Sequence, residues 1–202
     1  MYRSKRIFDL LLCIIFFPLS IVFLAILFPI TIVFQGKPFI YKQIRVGRKG
    51  KTFNLYKIRS MKNIKKNKKP SRDKLTIYGD PRITRIGYFL RKYKLDEIPQ
   101  IFNILKGDMT FVGPRPEVPE LLNLVSQDDY FKYIRCIPGV TDSSSIEFIK
   151  EENLLNLQKD PYHYYINTLL PKKIRSSYEQ QCKSSLIKDL IIIFKTFLNI
   201  LK

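Results

Sequence analysis

Lys94–Pro116, KLDEIPQIFNILKGDMTFVGPRP, places two adjacent carboxylates, Asp96 and Glu97, ahead of a short apolar helix and a proline-stiffened turn. Proline is accepted in the first turn of a helix, so Pro99 sets the helix start at about Asp96 to Ile98. Ile98, Ile101, Phe102 and Leu105 then recur at i, i+3, i+4 and i+7, one core-facing stripe, and Gly107 is a natural stop. The acids therefore sit at the positive end of a helix, which favours ionised carboxylates. Two readings stay open at this point. Acidic residues at a helix start are common caps. Alternatively one carboxylate attacks phosphorus to give an acyl phosphate, while the other holds Mg²⁺ together with substrate phosphates. Gly113-Pro114-Arg115-Pro116 offers a guanidinium on a stiff turn, suited to bidentate phosphate contact.

The surrounding chain is basic. Its 202 residues carry 36 Lys and Arg against 17 Asp and Glu, a net charge of +19. That balance points to anionic partners: nucleic acid, anionic lipid or phosphorylated small molecules. Cys13, Cys136 and Cys182 are too dispersed for a metal pair or a disulfide framework. His163 is the one histidine, and without partners it reads as structural, against a histidine hydrolase or zinc site.

Toward the N-terminus, Leu10 to Phe34 carries no charge. At ~1.5 Å per residue the run is roughly 37 Å long, enough to cross a hydrocarbon core of about 30 Å. It is too long for a signal-peptide core and lacks a cleavage site. Pro18 lies mid-run and favours a kink or break, with Ser20 placed to help satisfy freed carbonyls; Pro29 follows nearer the exit. Lys5 and Arg6 precede the run, and Lys37, Lys42, Arg45 and Arg48 follow it. The positive-inside rule puts both flanks in the cytoplasm, so a re-entrant helix and a spanning helix both remain open. Asp9 beside Arg6 reads as an ion pair at headgroup level.

Residues 38–61 read as a hairpin around a basic Gly47–Gly50 turn, with Lys57 and Arg59 available for phosphate or for a headgroup-facing surface. Residues 62–74 are Lys-rich without hydrophobic period, a solvated loop with no aromatic interleaving for base stacking. Asp80-Pro81 starts a helix whose Ile83, Ile86, Phe89 and Leu90 face the core. Residues 119–135 and 147–158 read as surface helices. Arg135, before Pro138-Gly139, is placed either toward substrate or on the plain surface. The tyrosine-rich segment at 160–181 suits either the headgroup level or the core. In the last segment Ile187, Leu190, Ile191, Phe194, Phe197, Leu198 and Leu201 share one side, with Lys188, Lys195 and Asn199 opposite, an amphipathic helix.

Several of these stretches together resemble the bacterial sugar transferases, the monotopic phosphoglycosyl transferases that begin glycan assembly on polyprenol phosphate. The carrying residues are KRIFD at 5–9, the proline-interrupted apolar segment, FNLYKIRSM at 53–61, ITRIGYFLRKYKLDEIPQIFNILKGDMTFVGPRP at 83–116 and IPGVT at 137–141. The resemblance implies Asp96 as nucleophile, Glu97 as the Mg²⁺-associated carboxylate, and Arg91, Arg115, Lys57 and Arg59 as the basic neighbourhood of the substrate. It also implies a re-entrant helix broken at Pro18. Two positions depart from the family pattern: Lys94 stands where many members have Ser, and Asp142-Ser143-Ser144-Ser145 follows the Pro-Gly-Val-Thr. With one hydrophobic segment, the chain resembles the small members of the family.

The expected fold is therefore α+β, mostly helical and monotopic. It has a re-entrant helix over 1–36 and a cytoplasmic catalytic domain over 37–202, with a small β-hairpin, central helices and interfacial C-terminal helices. The expected reaction moves a sugar-1-phosphate from a UDP-sugar to polyprenol (undecaprenyl) phosphate, releasing UMP, with Mg²⁺ as cofactor. The expected place is the cytoplasmic face of a bacterial inner membrane. The resemblance carries no expectation of nucleic acid as a partner, and a homo-oligomer is compatible with it. The competing class is a non-catalytic, membrane-anchored basic protein that binds anionic lipid or nucleic acid.

Overall fold

The computed structural model describes residues 4–62, 76, 79–148 and 151–200. The Lys-rich loop expected at 62–74 lies, Lys62 apart, outside them, as does Leu201.

Helix α1, Lys5–Gln35, is one helix of 31 residues, with Pro18 and Pro29 both inside it. Among the described residues it is the helix long and apolar enough to cross a membrane. The break expected at Pro18 does not interrupt the helical run. Proline withholds one donor and leaves the carbonyl four residues back, that of Ile14, without its partner. Ser20 does not replace that donor; its hydroxyl bonds the Phe17 carbonyl at 2.7 Å. Packing explains the persistence of the helix. Phe8, Asp9, Cys13, Ser20, Leu27 and Thr31 form a buried stripe along it. Cys13 and Phe17 meet Leu55, Ile101 and Ile104, while Leu24 and Leu27 meet Ile58 and Leu90.

Both ends of α1 are tied to the same domain. Arg6 Nη2 donates to the Leu105 carbonyl at 2.8 Å, and its Nη1 to that of Ile104. Asp9 accepts from Thr110 Oγ1 at 2.7 and 2.8 Å and from the Phe111 amide at 3.1 Å. The Arg6–Asp9 ion pair expected at the headgroups is thus replaced by two separate ties into the domain. Buried Lys5 pairs with buried Asp189. At the other end, Arg59 Nη2 caps the carbonyls of Gln35 and Gly36.

Strands β1, Ile40–Val46, and β2, Thr52–Ile58, form the expected antiparallel hairpin around a 3₁₀ turn at Arg48–Gly50. Strand side chains alternate, so the pairing of Arg45 with Phe53 and of Tyr41 with Lys57 puts Arg45, Leu55 and Lys57 on one face. Helix α2, Arg85–Lys92, begins later than the sequence suggested, with Thr84 as its cap on the Gly87 amide at 2.9 Å. Asp80 is instead forked by Arg82 at 2.9 Å. Phe89 points outward and Gly87 inward, because a Cβ at Gly87 would sit 1.9 Å from the Ser60 carbonyl oxygen.

A six-residue 3₁₀ segment, Leu95–Gln100, runs directly into helix α3, Ile101–Lys106, and Gly107 ends it at φ 87°. Strand β3, Thr110–Val112, pairs in parallel with β4, Gly139–Thr141. Their backbones nearly touch: a Cβ on Gly139 would lie 2.2 Å from the Gly113 nitrogen. This contact fixes the GPRP turn against IPGVT.

Around these pieces lie α4, Pro119–Leu122; α5, Gln127–Arg135; α6, Ser143–Glu147; α7, Glu151–Asn156; and α8, Pro161–Tyr164. A π-helical turn, Tyr165–Leu169, leads into α9, Leu170–Cys182, and α10, Leu186–Ile200, follows. Tyr165 is buried among Leu122, Leu169 and Leu170, which decides for core packing there. On α10 the expected apolar side is exposed, from Ile187 to Leu198. The face turned to the domain holds Asp189, Ile192, Ile193, Thr196 and Asn199, so Asn199 lies inward rather than opposite. The Thr196 and Thr141 hydroxyls meet at 2.7 Å.

Candidate active site

The 3₁₀ segment is laid against β2 by an amide side chain. Asn103, fully buried, accepts from the Tyr56 amide at 3.1 Å and donates to the Asn54 carbonyl at 2.7 Å. It imitates a strand neighbour and sets the height of the segment on the sheet. Lys94, at φ 55° and ψ 19°, turns the chain into the segment, and its carbonyl accepts the Glu97 amide at 3.1 Å. Asp96 and Glu97 consequently enter the domain side by side, 3% and 8% exposed.

The neighbours separate their chemistry. Glu97 Oε1 accepts from Lys57 Nζ and from Arg115 Nη2, both at 2.8 Å. Burial opposes the charge of Glu97, but Arg115, Lys57 and Lys94 together outweigh it and hold the carboxyl well below the usual range. Burial raises Asp96 above the ordinary aspartate range, with Lys57, Arg91 and Lys94 opposing and Glu97 reinforcing. Asp96 Oδ1 is buried with no hydrogen-bond partner among the described residues. Burial pushes the Lys57 ammonium down to about 8, with Glu97 opposing and Arg115 reinforcing. The ion pairs, rather than the field of a six-residue helical turn, thus keep Glu97 charged.

Of the residues expected from sequence, Asp96, Glu97, Lys57 and Arg115 come together here. Arg91, half-buried on α2, is close enough to oppose the rise of Asp96. Arg59 is elsewhere, capping α1. Arg135 is exposed at the end of α5 and makes no side-chain hydrogen bond or ion pair among the described residues. Lys5, Arg6 and Asp9 act as ties between α1, α3, β3 and α10.

Other participants were hidden in the sequence. Arg45 donates to the Pro116 carbonyl at 2.7 Å, holding the GPRP turn from behind. Gln181 brackets Ile137, accepting from its amide and donating to its carbonyl at 2.9 Å each. Asp142, fully buried, accepts from the Ser145 amide and the Ser144 hydroxyl at 2.8 Å each, and from Ser177 on α9. That departure from the family pattern therefore caps α6 and ties it to α9. A polar residue inside an otherwise apolar run, as Asn103 is between Phe102 and Ile104, was the one readable signal for this group.

A model of the bacterial sugar transferases matches residues 1–202. The chain belongs to the bacterial sugar transferase family. It is 41% identical over 150 residues to the undecaprenyl-phosphate galactose phosphotransferase of Salmonella typhimurium, covering 68% of this chain and 31% of that protein. It is 32% identical over 202 residues to the UDP-N-acetylgalactosamine-undecaprenyl-phosphate N-acetylgalactosaminephosphotransferase of Aeromonas hydrophila, covering 98% and 43%. It is 33% identical over 206 residues to the exopolysaccharide production protein ExoY of Sinorhizobium fredii, covering 96% and 83%. The chain thus spans less than half of the first two of these relatives. In this sugar transferase the residues present fit a magnesium ion. Mg²⁺ is bound by one or two carboxylates with substrate phosphates and water completing its shell. Glu97 is held ionised, and its Oε2 takes no hydrogen bond among the described residues, so it is open to a cation.

Proposed function

We propose that this chain transfers a sugar-1-phosphate from a UDP-sugar to polyprenol phosphate at the cytoplasmic face of a bacterial membrane. The observation that carries the reading is the asymmetry of the acidic pair: a buried Asp96 with an oxygen left unpaired, next to a Glu97 held by two cations. Two caps would both be satisfied by backbone amides; a nucleophile needs a free oxygen.

An Asp96 oxygen attacks the sugar-linked phosphorus. The bond from that phosphorus to the bridging oxygen breaks, and UMP leaves with the electron pair. The lipid phosphate oxygen then attacks the same phosphorus, and the Asp96 carboxylate is released as polyprenyl diphosphate-sugar forms. Arg115 and Lys57 bear the positive charge that keeps an anionic nucleophile and a diphosphate together. Glu97 would hold Mg²⁺, which when bound would neutralise phosphate charge. The relatives' names support the donor and acceptor classes.

The ties at both ends of α1 favour a monotopic arrangement. A helix that crossed a bilayer would separate Arg6 from Arg59, yet both bind it to one domain. The exposed apolar sides of α1 and α10 would then lie in one leaflet, holding Asp96 near the depth of the lipid phosphate.

The test is to mix the full chain with UDP-sugars and Mg²⁺ without lipid and follow UMP. One equivalent or less, released in a burst and chased by polyprenol phosphate, supports the reading. UMP release that requires lipid at the same time would overturn the covalent step.

A further inference from the structure

Arg45, Leu55, Gln100, Arg115, Pro116 and Gly139 line a cavity of about 10 Å³, room for a single water-sized group. Gln100 is 3% exposed, and its side-chain amide makes no hydrogen bond among the described residues. The amide lines the cavity and is not among the sealed, unpartnered polar atoms of the described residues, so it is free to meet a group that enters there. Two guanidiniums converge on the same space. Arg115 spends Nη2 on Glu97, and Arg45 spends its donors on Gln43 and the Pro116 carbonyl. Arginine carries five N–H donors, so both arginines keep donors beyond these bonds. The nearest acid to Arg45, Glu117, stands at 3.9 Å and also accepts from Tyr165 at 2.9 Å. The lining is thus rich in donors and positive, and its Gln100 lies in the same 3₁₀ segment as Asp96, four residues on.

We propose that Gln100, Arg45 and Arg115 form a subsite for one oxygen of a terminal phosphate. This deepens the transferase reading, on which it rests for the identity of the phosphate. A phosphate monoester arises there from two sources, the departing UMP or the acceptor polyprenol phosphate. Gln100 donates to the phosphoryl oxygen from within the domain, while the arginines supply the charge. The Leu55 wall and the close β3–β4 backbone limit the space to a single atom.

The test uses the full chain in detergent with three probes: UMP, uridine, and a short-chain polyprenyl phosphate. Gln100→Met keeps the volume and removes the donor; Gln100→Glu keeps the shape and adds a negative charge. A lost hydrogen bond to a charged group predicts about a 10-fold weaker Kd in the Met variant, more in the Glu variant, with uridine unaffected. Weakening of UMP alone assigns the subsite to the nucleotide, and weakening of the lipid phosphate alone assigns it to the acceptor. If both phosphates bind both variants as tightly as wild type, with melting temperatures unchanged, the subsite is overturned. A wild-type protein that binds UMP through Gln100 yet never releases UMP from a UDP-sugar would instead sink the transferase reading.

Discussion

Asp96 and Glu97 are consecutive and both buried, yet Glu97 Oε1 takes two cations at 2.8 Å while Asp96 Oδ1 takes no partner among the described residues. The difference follows from bonding: Lys57 and Arg115 both place their donors on Glu97, while Asp96 feels Lys57 only through its charge.

Substitution should therefore separate the two acids. Asp96→Asn removes a buried charge without breaking an ion pair, so the melting temperature should hold or rise while UMP release falls about 10³-fold or more. Calorimetry and a UMP assay on the same preparation check both halves. Full turnover in this variant would end the nucleophile assignment.

Glu97→Ala does the reverse to the fold. It strands Lys57 and Arg115, and loss of one partner from a buried pair costs about 3–5 kcal/mol, toward the low end here because Arg115 is partly exposed. Denaturant unfolding should show this loss.

The pair also responds oppositely to pH. Asp96 has a raised pKa, so its contribution to stability is full below its unfolded value of about 3.9 and is lost as pH rises through the folded value. Glu97 is depressed, so its contribution is present above about 4.3 and lost as pH falls through its folded value. Wild type and the two single variants, melted across acidic pH, should show these slopes with opposite sign.

Activity should fall on the alkaline side as Lys57 loses its proton, its ammonium being pushed down to about 8. The kcat/KM profile of the free enzyme reports that group. Lys57→Arg, whose charge does not titrate in this range, should remove the limb or move it upward.

Topology has a direct measure. In a Cys182→Ser background, cysteines placed at exposed Ser4 and Lys51 should label from the same side of sealed vesicles. Labelling from opposite sides would mean that α1 spans the bilayer.

Much of this was legible in the sequence by itself. The hairpin, the Gly107 stop of α3, the apolar α1 and the acidic pair all follow from local rules: periodicity, turn residues and run length. The inward face of α3 does not, since Leu105 is exposed while Asn103 and Ile104 are buried. Local rules misplaced the start of α2 and the inward side of α10, since Gly87 and Asp189 face inward only because Ser60 and Lys5 lie opposite. Nor could they separate Asp96 from Glu97, two like acids in one turn. That separation depends on Lys57, Arg115 and Lys94 surrounding one carboxylate more closely than the other, and on Asn103 setting the turn against β2. The groups available for phosphate chemistry are written in the linear order of the residues. Which carboxylate keeps a free oxygen is a property of the folded chain, because burial and ion pairing are set by partners distant in sequence.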